Sequence, residues 1–213
     1  LEDADKAEII FNGNPVKNEI VDNFVDISIF KVKLPEIVRG TNILLVTLPF
    51  GETQNLESMY LLGNFGVRVM GRDASVIALP EKLYFGDIVN QGLAFYGGNI
   101  TYHMGDVYAE NGEIEVMLPQ YRGALAKVLV DGEDKGNIVF SPNTLRIKGI
   151  TKGVHKLDIK LYTHRFNSFG AVHNADAALD WHGPNAWRTE NESWTYEYRL
   201  KEVGVLSAPV IKS

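Results

Sequence analysis

The chain has no cysteine. A disulfide scaffold, thiol catalysis and cysteine-based zinc sites are therefore excluded. It also has no basic run of five residues, and its formal net charge is -6. That balance argues against nucleic acid as a partner, because phosphate binding needs a basic patch. Long apolar runs are missing too. The longest, residues 43–48, is strand-sized, interrupted by Thr47, and far short of the roughly 20 residues that cross a membrane as a helix. Helical periodicity is nearly absent. The best candidate is residues 174–181, where Asn174 is placed to cap a short helix through Ala175, Ala177 and Ala178. The first residues are acidic and polar, with no signal-like apolar core. The leucine start reads as the beginning of an excised piece of a longer protein.

What is present is alternation. Ile114, Val116 and Leu118 face one way and Glu113 and Glu115 the other, as in a half-buried strand. Leu157, Ile159 and Leu161 alternate with Asp158, Lys160 and Tyr162. Residues 43–48 are apolar on both faces, which predicts a strand at the centre of a sandwich. The parity change between Ile29 and Val32 predicts a β-bulge or a corner near Phe30 and Lys31. Turn signals such as Asn12-Gly13, Asn111-Gly112 and Asp131-Gly132 recur between short strands. Together they predict an all-β fold, an antiparallel sandwich or jelly roll.

One pattern occurs twice. Residues 7–48 and 126–161 each carry an alternating strand ending in Asn-Gly or Asp-Gly, then a variable stretch and a second strand. Each closes on a glycine turn, Gly40-Thr41-Asn42 or Gly153-Val154-His155, that feeds a third strand. Gly13 and Gly132 lie 119 positions apart, and Gly40 and Gly153 lie 113 apart, the size of one all-β domain. Two sandwich units in tandem are expected: residues 1–77 as the C-terminal part of a first sandwich, and residues 78–213 as a complete one. The boundary is expected between residues 71 and 82. A half sandwich exposes apolar faces and strand edges. The first portion is therefore expected to pack on the second, pair with another chain, or have an upstream half in the parent protein.

The order of strand, Asn-Gly or Asp-Gly, strand, then Gly-x-Asn/His before a buried strand resembles the sugar-binding-type domain of family-two glycoside hydrolases. That domain belongs to the galactose-binding-like jelly-roll superfamily. In the second unit the resemblance runs from Gly92-Leu93-Ala94-Phe95-Tyr96-Gly97-Gly98 through Val130-Asp131-Gly132 and Gly153-Val154-His155. It ends in His164-Arg165-Phe166-Asn167-Ser168-Phe169-Gly170 and Trp194-Thr195-Tyr196-Glu197-Tyr198. The whole resembles the C-terminal accessory β-sandwich region of a large bacterial glycoside hydrolase of the rhamnosidase-like kind. Such modules are accessory, which implies that the catalytic carboxylates sit in a separate barrel domain. No catalytic residue is then expected here. The implied partners are carbohydrate and the parent protein's catalytic domain. An extracellular or periplasmic location is favoured over a cytoplasmic one if the parent degrades polysaccharide. No cofactor is expected; the superfamily's structural calcium remains open, although no Asp-x-Asp-x-Asp-Gly loop is present.

Residues 162–198 hold the richest mixture of polar and aromatic side chains, and all three tryptophans fall within fourteen residues of one another. Sugar sites need flat aromatic faces for the C–H side of a ring and planar polar groups for its hydroxyls. The carbohydrate-binding candidates are His164, Arg165, Asn167, His173, Asn174, Trp181, Trp187 and Trp194. Against this stands a structural reading, in which the segment caps one end of the sandwich and its polar groups satisfy backbone carbonyls. The nine-residue spacing of His164, His173 and His182 fits no zinc template, and no metal site is expected. A glycosidase pair drawn from Asp176, Asp180, Glu190, Glu192 and Glu197 is a third reading, which requires two carboxylates roughly 5–10 Å apart.

Overall fold

The computed structural model describes residues 1–52, 59–176 and 192–213. It is an all-β protein that divides into two compact units, Leu1–Gly63 and Asn64–Ser213. In the first, β1 (Glu8–Phe11), β2 (Asn14–Val16), β3 (Ile20–Phe24), β4 (Asp26–Val32) and β5 (Leu44–Thr47) form a three-stranded sheet in the order β2-β1-β5 and a β3-β4 hairpin. In the second, β6 (Phe65–Met70) and β7 (Asp73–Ala78) form a hairpin. They are followed by β8 (Asn99–Ala109), β9 (Glu113–Met117), β10 (Tyr121–Arg122), β11 (Leu125–Val130) and β12 (Glu133–Ile138). Then come β13 (Thr144–Lys148), β14 (Gly153–Tyr162), the single-turn α1 (Phe166–Phe169), β15 (Gly204–Val205) and β16 (Val210–Lys212).

The second unit is an antiparallel β-sandwich. One sheet has the order β12-β11-β14-β8 and the other β13-β9-β16. Their inner faces share one core that includes Ile114, Val116, Ala126, Val128, Ile147, Ile159 and Leu161. These are the residues that alternation assigns to the inside, since strand side chains switch faces at every position. The opposite parity points outward: Glu115 is held by Arg146 and Lys212 at 2.8 and 3.0 Å. Those bonds keep its carboxyl below the ordinary carboxylate range.

The sequence repeat is a structural repeat. β1 turns into β2 through Asn12-Gly13 and pairs on its other side with β5; β11 turns into β12 through Asp131-Gly132 and pairs with β14. Both turns carry two consecutive left-handed residues, Asn12 and Gly13 at φ 49° and 81°, Asp131 and Gly132 at 53° and 81°. This is the geometry for which Asn-Gly and Asp-Gly are selected. The registers coincide residue for residue: Phe11 opposes Leu44 as Val130 opposes Leu157, and Ile9 opposes Val46 as Val128 opposes Ile159.

A side-chain clamp accompanies the repeat. Asn12 Oδ1 accepts from the Ile43 N–H at 2.8 Å, and Asp131 Oδ1 accepts from the Lys156 N–H at 2.9 Å. The partner in the glycine turn differs. Asn42 Oδ1 accepts from Asn12 Nδ2 at 3.1 Å, and Asn42 Nδ2 donates to Val38 O at 2.8 Å. His155 instead donates from Nδ1 to Asp131 Oδ2 at 2.7 Å and from Nε2 to Thr151 O at 2.8 Å. A carboxylate and a carbonyl both only accept, so the two bonds together require the doubly protonated ring. The bond to Asp131, followed by that to Thr151, raises the His155 pKa above its ordinary value; the bond to His155 lowers that of Asp131.

Two sequence expectations are revised and a third is met in part. The boundary expected at residues 71–82, with units 1–77 and 78–213, differs from the division between Gly63 and Asn64. The β6-β7 hairpin belongs with the second unit because the Val67 N–H bonds to Gly92 O at 2.7 Å. Gly66 permits that approach, since a Cβ there would stand 2.8 Å from the same oxygen. The strand expected at a sandwich centre, β5, is instead the last strand of its sheet among the described residues, with Leu44 and Leu45 exposed at 44% and 54%. Near Phe30 and Lys31, where a bulge or corner is expected, the ladder is irregular on both strands: residues 27–29 of β4 fall between the Asn23–Phe30 and Phe24–Asp26 pairs, and β3 is irregular too. Ile20 opposes Val32 and Asp22 opposes Lys31, which leaves Val21 as the extra residue on β3.

Two outcomes follow from this packing. Ile159→Ala, at a fully buried core position, lowers stability by about 3 kcal/mol. Leu45→Ala, on the exposed strand, changes it by less than about 0.5 kcal/mol; urea unfolding of both variants checks the contrast. The clamp of the second unit carries a pH signature. The raised His155 pKa contributes stability fully present below the unfolded imidazole value and lost as pH rises through the folded one. The lowered Asp131 pKa contributes stability present above the unfolded carboxylate value and lost as pH falls through the folded one. The pair therefore stabilises most between about pH 4 and 6.5. In the double variant Asp131→Asn/His155→Asn, which installs the residue types of the first unit, the stability deficit relative to wild type is greatest near pH 5.5. It narrows by pH 8.5, as read from unfolding midpoints.

Candidate functional site

The segment after β14 is laid across one end of the second unit and is anchored by its polar side chains. Asn167, on α1, is 4% exposed; its Nδ2 donates to Lys201 O and its Oδ1 accepts from the Lys201 N–H, both at 2.8 Å. Ser168 Oγ donates to Phe95 O at 2.7 Å. His164 Nε2 donates to Glu202 O at 3.1 Å, while its Nδ1 accepts from the Phe166 N–H at 3.3 Å. Farther on, His173 Nδ1 donates to Thr195 O at 3.1 Å, the Thr195 N–H returns a bond to His173 O at 2.9 Å, and Asn174 bridges to Trp194. The short helix expected to start at Asn174 is not what this residue serves. Its backbone pairs across the loop with Trp194, and the rest of that expected helix, from residue 177, lies outside the described residues.

These anchors line up a chain of aromatic rings. Phe95 meets Tyr198 edge-on at 5.4 Å, Tyr198 meets His173 at 4.6 Å, His173 meets Trp194 at 5.5 Å, and Trp194 meets Tyr196 at 4.4 Å and 78°. Offset and edge-to-face contacts of this kind are the favourable ones for aromatic pairs. Burial falls along the row: Tyr198 and Trp194 are half-buried, whereas Tyr196 is 70% exposed. Arg165 is exposed, with its Cγ 3.5 Å from where a Cβ on Gly97 would stand, so its stem lies over the turn that follows Phe95.

Of the eight residues proposed from sequence, six are described. His164, Asn167, His173 and Asn174 are engaged with backbone partners, while Arg165 and Trp194 remain at the surface or half-buried. Trp181 and Trp187 lie outside the described residues, as do His182, Arg188, Asp180 and Glu190. Tyr196 and Tyr198 belong to the polar-aromatic segment but are not among those eight candidates. Their signal was legible: Trp194, Tyr196 and Tyr198 recur at every second position in an otherwise polar stretch. Of the described carboxylates, Glu192 and Glu197 are exposed, and Glu197 pairs with Arg199 at 3.4 Å.

Asp22 and Asp26, at the β3-β4 hairpin, are engaged by neighbouring groups of the chain. Asp22 is paired with Lys31 at 2.8 Å, and Asp26 Oδ1 accepts from both the N–H and the hydroxyl of Ser28 at 2.8 and 2.7 Å. Among the described residues no group of three His, Asp or Glu side chains converges.

No family model matches this chain, and no curated protein does. Among solved structures it is similar to a rhamnosidase from Novosphingobium sp. PP1Y, at 15% identity and a TM-score of 0.40, over 80% of this chain and 17% of that one. It is also similar to a GH2 beta-galacturonidase from Eisenbergiella tayi bound to glycerol, at 21% identity and a TM-score of 0.36, over 69% of this chain and 22% of that one. A GH2 beta-galacturonidase from the same organism bound to galacturonate gives 22% identity and a TM-score of 0.35, over the same shares. These neighbours are glycoside hydrolase chains, and this chain spans 17% to 22% of their length.

Proposed function

We propose that this chain is a non-catalytic accessory module of a bacterial glycoside hydrolase, a galactose-binding-like β-sandwich that positions the catalytic domain and contacts carbohydrate. The observation that carries the contact is the graded aromatic row. Trp194 is half-buried and held edge-on by Tyr196, which is itself 70% exposed. A solvent-facing tyrosine fixed by a tryptophan offers a flat apolar surface at little cost in side-chain entropy, which is what the C–H face of a sugar ring selects. Arg165, exposed near the Phe95 end of the row, supplies a planar donor for hydroxyls. The link to glycoside hydrolases rests on the resemblance of the Asn-Gly and Asp-Gly strands, the Gly-x-Asn/His turns and the His164–Gly170 stretch.

A purely structural sandwich is the second reading. It is favoured by Asn167, His164 and His173, each of which bonds the backbone of residues 195–202 through its side chain.

A glycan array followed by calorimetric titration of the intact chain separates the two. On the binding reading, Tyr196→Ala weakens the best glycan by about tenfold, or ~1.4 kcal/mol, and leaves the unfolding midpoint nearly unchanged. Asn167→Ala behaves in the opposite way. It removes both bonds to the Lys201 backbone and lowers stability by about 1–3 kcal/mol. No binding across a broad panel leaves the structural reading standing. Glycan hydrolysis by the isolated chain sinks both.

A further inference from the structure

The internal repeat makes one comparison that neither unit makes alone. In the second unit β14 is paired on both sides, with β11 and with β8. Its counterpart in the first unit, β5, is paired with β1, and among the described residues no strand pairs with its other edge. Because the registers coincide, the position beside β5 is the one that β8 holds beside β14.

The backbone at that edge is aimed outward. The Asn12 N–H bonds to Ile43 O at 2.8 Å, so residue 43 directs its polar groups toward β1. Antiparallel pairs alternate between bonded and non-bonded positions. Leu45 and Thr47 therefore also face β1, and the N–H and C=O of Leu44 and Val46 face away from it. The side chains match this exposure: Ile43, Leu44 and Leu45 are 65%, 44% and 54% exposed. An open apolar edge without a charge, proline or bulge of its own carries none of the devices that keep a sheet edge from pairing.

We infer that the outer edge of β5 is a strand-acceptor site, and that its occupant is an antiparallel strand patterned like β8 rather than a second β5. The pattern is specified by the second unit. There Tyr102 lies opposite Ile159, Thr101 opposite Lys160 and Ile100 opposite Leu161. Tyr102 turns into the core, where its hydroxyl accepts the Val205 N–H at 3.1 Å. The equivalent of Ile159 is Val46. The occupant thus places a large apolar or aromatic residue opposite Val46, polar residues on either side of it, and a second apolar residue two positions before it.

A synthetic peptide with the sequence of residues 99–109 is the probe, added to the full chain, with amide hydrogen exchange as the readout. The expected result is saturable slowing of exchange by about tenfold or more at the Leu44 and Val46 amides. Val46→Pro removes an outward N–H that β1 does not use, a change sheet edges tolerate. It should keep the unfolding midpoint and abolish protection at Leu44. A peptide of the same composition with apolar and polar positions exchanged should give no protection, a control that holds even if Val46→Pro misfolds. Three results would overturn the inference. One is no protection at millimolar peptide. Another is protection confined to the second unit, through displacement of β8. The third is self-association of the chain that Val46→Pro abolishes, which would assign the edge to a second copy.

Discussion

In each unit a polar side chain at the first position of a tight turn reaches to the neighbouring strand and holds its backbone where that strand enters the sheet. Asn12 does this toward Ile43 and Asp131 toward Lys156. The bond is local in space but joins residues 31 and 25 positions apart. It sets register at the mouth of the sheet, and register is what an alternating strand cannot afford to lose. A slip of one residue would turn Leu157, Ile159 and Leu161 to solvent and Asp158 and Lys160 into the core. The core between the two sheets of the second unit depends on that alignment.

The same geometry is built with two chemistries. The first unit uses neutral amides, Asn12 with Asn42, and the second an ion pair, Asp131 with His155. In both, the second residue also reaches back to a turn carbonyl, Val38 O or Thr151 O, so the glycine turn and the hairpin turn are tied to each other. Charge is therefore not what the position requires. It requires an acceptor at the hairpin turn and a donor facing it. The charged version adds a dependence on pH that the neutral version lacks.

Much of this was legible in the chain because the signals are local. Asn-Gly and Asp-Gly report two consecutive left-handed residues, and Gly-x-Asn/His reports the turn that faces them. The offsets of 119 and 113 positions match the hydrogen-bonded registers, Phe11 with Val130 and Leu44 with Leu157. What failed depends on contacts between distant residues. The β6-β7 hairpin is assigned to the second unit by the approach of Gly66 to the backbone of Gly92, which neither residue announces. β5 has the composition of a central strand but lacks a second neighbour among the described residues. At the candidate site, histidine, asparagine and arginine look alike as ligand donors until their partners are known. Asn167 and His173 spend their capacity on Lys201 and Thr195, and Arg165 does not share that anchoring.

That division of polar groups constrains what the aromatic row can recognise. A site that discriminates strongly among sugars needs buried donors and acceptors matched to hydroxyls, because an unpaired polar group in such a site is costly. Here the buried amide of Asn167 is already matched to the backbone, and the exposed end of the row is a tyrosine ring. Stacking on a ring face depends on the shape of the sugar's apolar side more than on the pattern of its hydroxyls. On the proposed reading, selectivity by the described residues is therefore broad and each contact weak. On that same reading, contacts of this kind would keep a polymeric substrate close to a neighbouring catalytic domain through effective concentration, a role that tolerates low affinity at any single ring.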